Sequence, residues 1–412
     1  MMQTLELLLL FTVWAAAYGQ SAPSPTSVGS QSYPTYSDNF QRANGKLGSN
    51  WKTPKNANPL RIISDNVYAA TVPVTHALEY YSAATFANNQ WSSYTIVKTG
   101  PGNSATSAMV RANGNTPTEF YNDGPQRSME RIGIATPTAE PTDFCSIQLY
   151  TAMNAGDTDE LAVAGSGPVF FWILRNGVID GTCYDDTYDY TGGNPGLGLA
   201  ADNNATPTAA AGNWQGGSLP DFSTTPSDDF QRANAGWLGV NWWYPEPGGG
   251  FTQAFTLNGN AAALTGSGIG MAVWTTPFSL NQSSAVTVGS TAGDTWIGAV
   301  TRYTLVSSGN ETFYFALVQP NGVVDLFAYD GTKRDGVWER LGSSLGIYSG
   351  TVRTIELDAS GTSPVLLTVR INGKQFGRTY SDSIYKLTGT YAGFIVDGTA
   401  STTVSGWTGK NL

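Results

Sequence analysis

Few residues of this chain belong to the types that build common catalytic sites. Its 412 residues include one histidine, His76, and two cysteines. A Ser-His-Asp triad needs a histidine beside each nucleophile, and zinc sites gather several His and Cys ligands. A triad in each of two repeated units and nearly all zinc sites are therefore excluded. A lone histidine near the start of a strand, as His76 is, is more often a surface or satisfied residue.

Two glycine-containing stretches match the spelling of functional motifs. Residues 342–346, GSSLG, match the G-x-S-x-G of a nucleophile elbow, which requires a strand-to-helix turn and a histidine partner. Residues 266–270, GSGIG, match part of a phosphate-binding loop, but no helical pattern follows to receive a phosphate. The first stretch is therefore not assigned as a nucleophile, and the second is predicted to be a loop.

The composition favours strands and excludes nucleic acid as a partner. Charged residues make up 13% of the chain, there are 48 glycines, and the formal net charge is −10. Low charge with abundant Gly and β-branched residues is typical of strands joined by tight turns. Phosphate binding needs clustered Lys and Arg, and no basic run occurs.

The N-terminal stretch MMQTLELLLLFTVWAAAYGQ predicts a secretory signal over residues 1–19. Its apolar run is too short to span a bilayer, although a buried helix or a retained anchor is the alternative. A Ser-, Pro- and Thr-rich spacer follows over residues 20–35. No later segment has 18 consecutive apolar residues. The mature protein is therefore predicted to be secreted, extracellular and without a membrane span.

The sequence contains an internal repeat of one unit. SDNFQRANGKLGSNW at 37–51 returns as SDDFQRANAGWLGVNW at 227–242, and residues 160–186 align without a gap over 356–382. Such self-similarity is the signature of a tandem duplication. The predicted organisation is a first domain over 36–217, a linker over 218–227 and a second domain over 228–412.

Each unit has the pattern of antiparallel strands. VFFWILRNGVIDGTCY and its counterpart VLLTVRINGKQFGRTY are two apolar runs joined by Asn-Gly, the pair that a type I′ hairpin turn prefers. Many short strands at this spacing predict an all-β fold of two tandem antiparallel β-sandwich, or jelly-roll, domains. Within the repeated opening, Asp38 and Arg42 can pair and brace the turn after the first strand, or form a ligand or ion site.

The opening D-x-F-x-R-A-x-G-x-L-G-x-x-W, the strand–Asn-Gly–strand and the closing Trp-Gly segments resemble a secreted bacterial domain of the concanavalin A-like lectin/glucanase superfamily, of the LamG-like jelly-roll kind. The resemblance covers nearly all of both units. It implies a jelly roll, and lectins, adhesins and glycosidases all share that fold, so function must be argued from the site.

The resemblance also implies where a hydrolase would carry its acids. Laminarinase-like glucanases of this superfamily carry E-x-D-x-x-E on one strand, and retaining hydrolysis needs two carboxyl groups about 5–5.5 Å apart. Here Glu356 and Asp358 match, but Gly361 stands in place of the second Glu. In the first copy Glu160 remains while Ala162 replaces the Asp. No catalytic residue is therefore assigned.

Two further expectations concern the end of the first unit. Several jelly-roll families brace loops with calcium, so the resemblance implies a structural Ca2+ at Asp185, Asp186 and Asp189, with solvated acidic loop residues as the alternative. No other cofactor is indicated. Export permits a disulfide between Cys145 and Cys183, with two reduced cysteines as the alternative.

Comparison of the copies points to Trp237 and Trp243 as ligand-binding residues. Their counterparts in the first unit are Lys46 and Lys52, and lysine is almost never fully buried unless paired. Both tryptophans are thus predicted to face water, where sugar stacking, packing against the first domain or simple partial exposure would account for them.

Three functions follow from this pattern. The first is a secreted, non-catalytic, lectin-like protein that binds a polysaccharide or glycan with two modules. The second is a structural or adhesive cell-surface protein. The third is a glycoside hydrolase with unrecognised carboxylates.

Overall fold

The computed structural model of this protein describes most of the chain after the N-terminal region. The described residues are 34–55, 57–70, 74–100, 105–113, 118–123, 128–134, 142–146, 154–187, 189–201, 208–245, 251–291, 295–305, 310–332 and 337–412. The predicted signal segment and residues 20–33 of the spacer lie outside them. All regular structure in the described ranges is strand, without a helix. No helix of the described chain is long and apolar enough to cross a membrane.

Fifteen strands form what we call the first half. They are β1 (Thr35–Asp38), β2 (Trp51–Lys52), β3 (Leu60–Ile63), β4 (Asn66–Ala69), β5 (Val74–Tyr81), β6 (Gln90–Lys98), β7 (Ala105–Ala112), β8 (Thr118–Asp123), β9 (Ser128–Ile134), β10 (Thr142–Ser146), β11 (Thr158–Gly165), β12 (Val169–Arg175), β13 (Val178–Asp185), β14 (Asn194–Ala201) and β15 (Ala210–Ser218).

Eighteen strands form the second half. They are β16 (Ser227–Asp228), β17 (Trp242–Trp243), β18 (Phe251–Gln253), β19 (Phe255–Leu257), β20 (Ala262–Leu264), β21 (Gly268–Trp274), β22 (Gln282–Ser290), β23 (Trp296–Tyr303), β24 (Thr312–Val318), β25 (Val323–Asp330), β26 (Val337–Arg340), β27 (Gly346–Ile347), β28 (Thr354–Ser360), β29 (Val365–Ile371), β30 (Lys374–Gln375), β31 (Tyr380–Asp382), β32 (Tyr391–Gly398) and β33 (Thr403–Asn411).

These strands build four sheets, two in each half. In the first half, sheet 1 has the order β13-β12-β11-β6-β15-β4-β3, with β1 on β15, and sheet 2 has β10-β9-β8-β7-β14-β5-β2. In the second half, sheet 3 has β19-β20-β33-β22-β28-β29-β30, and sheet 4 has β17-β21-β32-β23-β24-β25-β26. Apolar side chains from both sheets of a half pack into one core. The fold is all-β with sandwich-like sheets, as predicted.

The two Asn-Gly hairpins form as their sequence predicts. Asn176 and Gly177 have φ of 52° and 75°, and Asn372 and Gly373 have the same pair of values. A type I′ turn requires positive φ at both central residues, and Asn and Gly tolerate it best. The turns join β12 to β13 and β29 to β30.

The repeated opening is a structural brace. The Asp38 carboxylate accepts hydrogen bonds from Arg42, at 2.6 and 2.8 Å, and from the Trp51 indole at 2.8 Å. Arg42 also donates to the carbonyl oxygen of Leu47, so it ties the first strand to the turn that follows. Asp228 holds its arginine and tryptophan in the same way. The bracing interpretation of this motif is confirmed.

One strand differs between the copies because the second half covers it. Every side chain of β12 is buried, whereas β29 alternates between buried and accessible side chains. Phe170, Trp172 and Leu174 belong to one apolar cluster with residues of the second half. Their counterparts on β29 include Leu366, which is 42% exposed, and Arg370. The second half therefore packs on the outer face of sheet 1.

Backbone contact at this interface depends on a glycine. The Ile179 amide donates to the Gly236 carbonyl oxygen over 3.1 Å, and Val178 forms a parallel bridge with Gly236. A Cβ atom on Gly236 would lie 1.9 Å from the carbonyl oxygen of Gly177. Only glycine lets the two backbone segments approach this closely.

Candidate functional site

A cleft of about 520 Å³ opens where the hairpin between β12 and β13 meets the second half. The first half lines it with five polar side chains: Asn154, Asp157, Arg175, Asn176 and Asp180. Arg175 and Asp180 come from the ends of β12 and β13, and the others come from the adjoining turns. These side chains combine amide, carboxylate and guanidinium groups in one concave surface.

The second half supplies the opposite wall. Thr252, Gln253 and Thr265 present hydroxyl and amide groups, and the Thr265 hydroxyl donates to Gln253 Oε1 over 3.1 Å. Val178 and Ile179 add apolar surface from β13. A site with several placed polar groups around an apolar patch can fix the orientation of a small molecule. Here it can offer donors and acceptors to hydroxyl groups.

The hairpin holds its acidic residue in the charged form. Asn176 Nδ2 donates to Asp157 over 2.9 Å, and the Asn154 amide donates to the same carboxylate over 3.0 Å. Partial burial raises the pKa of Asp157, but the hydrogen bonds from Asn176 and Asn154 and the charge of Arg175 outweigh it. The pKa of Asp157 therefore lies below its ordinary value. Asp157 faces the cleft as an anion.

Arg175 is a buried cation with unused hydrogen-bonding capacity. Its side chain is 6% exposed, and its Nη2 lies 3.1 Å from Asp159 Oδ1 and 3.8 Å from Asp180 Oδ2. The charges attract at these distances. Nevertheless Nε, Nη1 and Nη2 have no hydrogen-bond partner among the described residues. An unsatisfied buried donor is costly, and Arg175 lines the cleft, so a hydrogen bond to a molecule there would relieve that cost once the guanidinium reaches it.

A group of buried polar side chains lies behind Arg175. The Tyr94 hydroxyl is 3.0 Å from Asp159 Oδ2 and 2.7 Å from the Thr106 carbonyl oxygen. Burial, and then the negative charge of Asp159, raises the pKa of Asp123 well above its ordinary value. The raised pKa favours the neutral form of Asp123 beside Asp159.

Trp237 and Trp243 do not face water, so that prediction is wrong. They are 7% and 5% exposed, and both pack on the first half. The Trp237 ring lies 5.6 Å from Trp172, and Trp243 lies 6.0 Å from Phe170 and 5.5 Å from Tyr184. Sugar stacking needs an accessible ring face, and these rings have none. The two tryptophans instead pack against the first half, which was one of the three alternatives for them.

The exposed lysines of the first copy were a misleading guide. Lys46 and Lys52 are indeed exposed. They lie on a surface of the first half that no described residue covers, whereas the same surface of the second half packs on β12. Two copies of one fold can bury different faces when they join head to tail.

The three acidic residues predicted to bind calcium make separate contacts. Asp185 is 3% exposed and accepts a hydrogen bond from the Thr187 amide over 3.0 Å. Asp186 accepts one from the Thr187 hydroxyl over 3.2 Å, and Asp189 is exposed. No three His, Cys, Asp or Glu residues in the described ranges are gathered so that they could hold a metal ion. Calcium here stays a prediction of the resemblance.

The glucanase-like residues have structural partners. Glu356 accepts a hydrogen bond from Lys410 over 2.7 Å, and Asp358 accepts one from Arg370 over 3.0 Å. Gly361 has φ of 75°, and a Cβ atom there would lie 2.9 Å from a backbone carbonyl oxygen. A Glu at that position would be strained, so the backbone of this turn does not suit the second carboxylate of the motif.

The remaining sequence motifs occupy ordinary positions. The loop prediction for 266–270 is wrong in part because Gly268 begins β21, and in the 342–346 stretch Gly342 lies in a bend while Gly346 begins β27. His76 lies on β5, with its side chain outside the described set. Cys183 is disulfide-bonded, and the sequence has one other cysteine, Cys145 on β10.

The residues of the cleft were not found from the sequence, although a signal was present. Across the gapless alignment, Arg175 corresponds to Ile371 and Asp180 to Phe376. The second copy has apolar side chains at these positions, so the fold does not require polar ones. Polar residues there are therefore a signal of function.

No protein-family model matches the chain, and no curated protein matches it in sequence. Among solved structures, the carbohydrate-binding module CBM66 from Bacillus subtilis superposes with a TM-score of 0.28 and 11% identity, over 42% of this chain and 93% of that chain. A GH43 protein of Bacillus licheniformis superposes with a TM-score of 0.32 and 12% identity, over 71% of this chain and 72% of that chain. The exoplasmic/lumenal domain of VIP36, in its Ca2+/Man3GlcNAc-bound form, superposes with a TM-score of 0.27 and 13% identity, over 42% of this chain and 84% of that chain.

Proposed function

We propose that this chain is a secreted, non-catalytic carbohydrate-binding protein of two tandem jelly-roll units, and that its binding site is the cleft between the halves. The observation that carries the proposal is Arg175, whose buried guanidinium lines the cleft and pairs by charge with Asp159 but makes no hydrogen bond with any described residue. A buried donor group without a protein partner is best explained by a ligand that accepts its hydrogen bonds.

Sugars suit the other groups of this cleft. A pyranose carries hydroxyl groups that both donate and accept, and it has an apolar face of C–H groups. Asn154, Asp157 and Gln253 offer complementary donors and acceptors, while Val178 and Ile179 offer apolar contact. About 520 Å³ is within the range of ligand pockets and holds one or two sugar rings. Both halves must be present for the site to exist.

A glycan array followed by calorimetry tests this function. The exported protein is applied to the array, and the Kd of the strongest neutral oligosaccharide is then measured for wild type, Arg175→Ile and Gln253→Ala. Each substitution removes donors from one wall, so each should weaken binding by roughly tenfold. Arg353→Ile changes an exposed arginine that does not line the cleft, and its Kd should stay unchanged.

The proposal fails if no glycan binds. It also fails if the two cleft variants bind with the affinity of wild type. Failure on the array would favour the adhesive, protein-contacting alternative, because that role needs no sugar. Release of reducing sugar from a bound glycan would favour the hydrolase alternative.

A further inference from the structure

The polar group behind the cleft is confined to one of two otherwise equivalent halves. Asp159 and Arg175 face each other across β11 and β12 in sheet 1. The corresponding cross-strand pair on β28 and β29 is Ile355 and Ile371. Asp180 has Phe376 at the aligned position. The second half therefore fills this end of its core with apolar side chains.

The same contrast holds on the facing sheet. Tyr121 and Tyr314 are equivalent because each donates its hydroxyl proton to the aspartate that ends the strand paired with β12 or β29. Two residues further along the strand, the first half has Asp123 and the second half has Ala316. The fold thus tolerates Ala, Ile and Ile at the three positions where the first half has Asp, Asp and Arg.

Charge at these positions is costly for stability. Moving an ion into a protein interior loses its hydration, and a buried ion pair often contributes no more than apolar residues of similar volume. The pair between Arg175 and Asp159 lacks the hydrogen bonds that would offset that loss. Since the sister copy shows the apolar solution, the charged solution requires another reason.

We infer that Asp123, Asp159, Arg175 and Asp180 form a recognition device of the first half, which makes the cleft select glycans that carry no carboxylate or sulfate group. Arg175 donates to the sugar, and Asp159, which lies 3.1 Å from its guanidinium on the neighbouring strand, is a positioning residue for it. This inference rests on the proposed function of the cleft.

Charge at the cleft supports this ligand class. The carboxyl groups of Asp157 and Asp180 in the cleft lining, with Asp159 at 3.1 Å from Arg175, outnumber the one guanidinium of that lining, on a chain whose net charge is −10. A surface of one dominant sign repels ligands of that sign. The arginine is already neutralised by the aspartates, so it serves as a directional donor and not as an anion receptor. Neutral sugars and amino sugars satisfy both conditions.

Two kinds of variant test the inference. The first copies the second half into the first, as Asp123→Ala, Asp159→Ile and Arg175→Ile together. It is expected to fold with an unchanged or higher Tm and to lose at least tenfold in affinity for the neutral oligosaccharide selected on the array. A variant with wild-type affinity would overturn the inference.

The second variant, Asp180→Asn, tests selectivity even if the triple variant fails to fold. The ligands are the selected oligosaccharide and its uronate analogue, whose primary hydroxyls are oxidised to carboxylates. Wild type is expected to bind the uronate at least tenfold more weakly than the neutral oligosaccharide at low salt. Asp180→Asn should reduce the ratio of the two Kd values severalfold. Equal affinities in wild type, or a ratio that Asp180→Asn leaves unchanged, would overturn it. Absence of any sugar binding by wild type would instead overturn the proposed function.

Discussion

Trp172 in the first half donates its indole N–H to the backbone carbonyl oxygen of Trp242 in the second half over 2.8 Å. Trp172 is fully buried, and Trp237 packs against its ring. This contact joins the strand that ends in Arg175 to the strand that follows the repeated opening of the second half. The cleft is therefore a product of how the two halves dock.

The interface tryptophans are predicted to contribute strongly to stability. Trp237→Ala and Trp243→Ala each remove a large buried ring from the contact with β12, which should lower the free energy of unfolding by about 3–5 kcal/mol. Chemical denaturation of each variant measures the change. The matched controls are Lys46→Ala and Lys52→Ala, which alter the exposed counterparts in the first half. If the tryptophan variants are as stable as the lysine variants, the described docking is wrong.

Gly236 is predicted to tolerate no side chain. A methyl group there would clash with the backbone of Gly177, so Gly236→Ala should destabilise the protein by about 2 kcal/mol or more and disturb the cleft. Gly406→Ala is the control, because its new Cβ atom would meet only an ordinary contact at 3.4 Å. Thermal unfolding compares the two. Similar melting temperatures would show that the halves do not approach closely at Gly236.

Glu160 and Glu356 occupy equivalent strand positions and should respond to pH in opposite directions. Burial and the charge of Asp159 raise the pKa of Glu160 to about 8. Burial also acts on Glu356, but hydrogen bonds from Lys410 and Ser283 outweigh it, so the pKa of Glu356 is lowered.

For Glu160, the folded state holds a proton that the unfolded state has lost between about pH 4.5 and 8. Its contribution to stability therefore falls as pH rises through this window, and Glu160→Gln should gain stability over wild type with rising pH. Glu356→Gln should lose stability at neutral pH, and the loss should fade as pH falls below the unfolded pKa. Urea denaturation from about pH 3 to about pH 8 measures both. Parallel pH profiles for the two variants would contradict these assignments.

Cys145 and Cys183 are predicted to form one disulfide in the secreted protein. Thiol titration of the denatured, unreduced protein should find no free thiol, and prior reduction should reveal two. Two free thiols without reduction would refute the pairing.

Much of the fold was predictable because local chemistry decides it. Asn176-Gly177 and Asn372-Gly373 fix two hairpins through φ values that few other residue pairs accept, and Asp38 with Arg42 fixes the brace. The exact register at the end of the unit was not predictable. The gapless alignment places Asp186 over Asp382, whereas strand pairing makes Asp185 the counterpart, opposite Val169 as Asp382 is opposite Val365. Between the hairpin turn and this position the second half has two extra residues and the first half has one, and this difference accounts for the shift.

The candidate site was not predictable because it depends on docking. No single element contains it, since Arg175 and Gln253 come from different halves. The burial of Trp237 and Trp243 has the same origin, because strand alternation placed Trp243 on the outer face but could not indicate that β12 covers that face.

A crystal structure of the protein with its array-selected oligosaccharide tests the central claim most directly. We expect sugar density in the cleft, with ring hydroxyls within hydrogen-bonding distance of the Arg175 guanidinium and of Gln253 on the opposite wall. A sugar bound at another surface, with the cleft empty and Arg175 unmoved, would contradict the account.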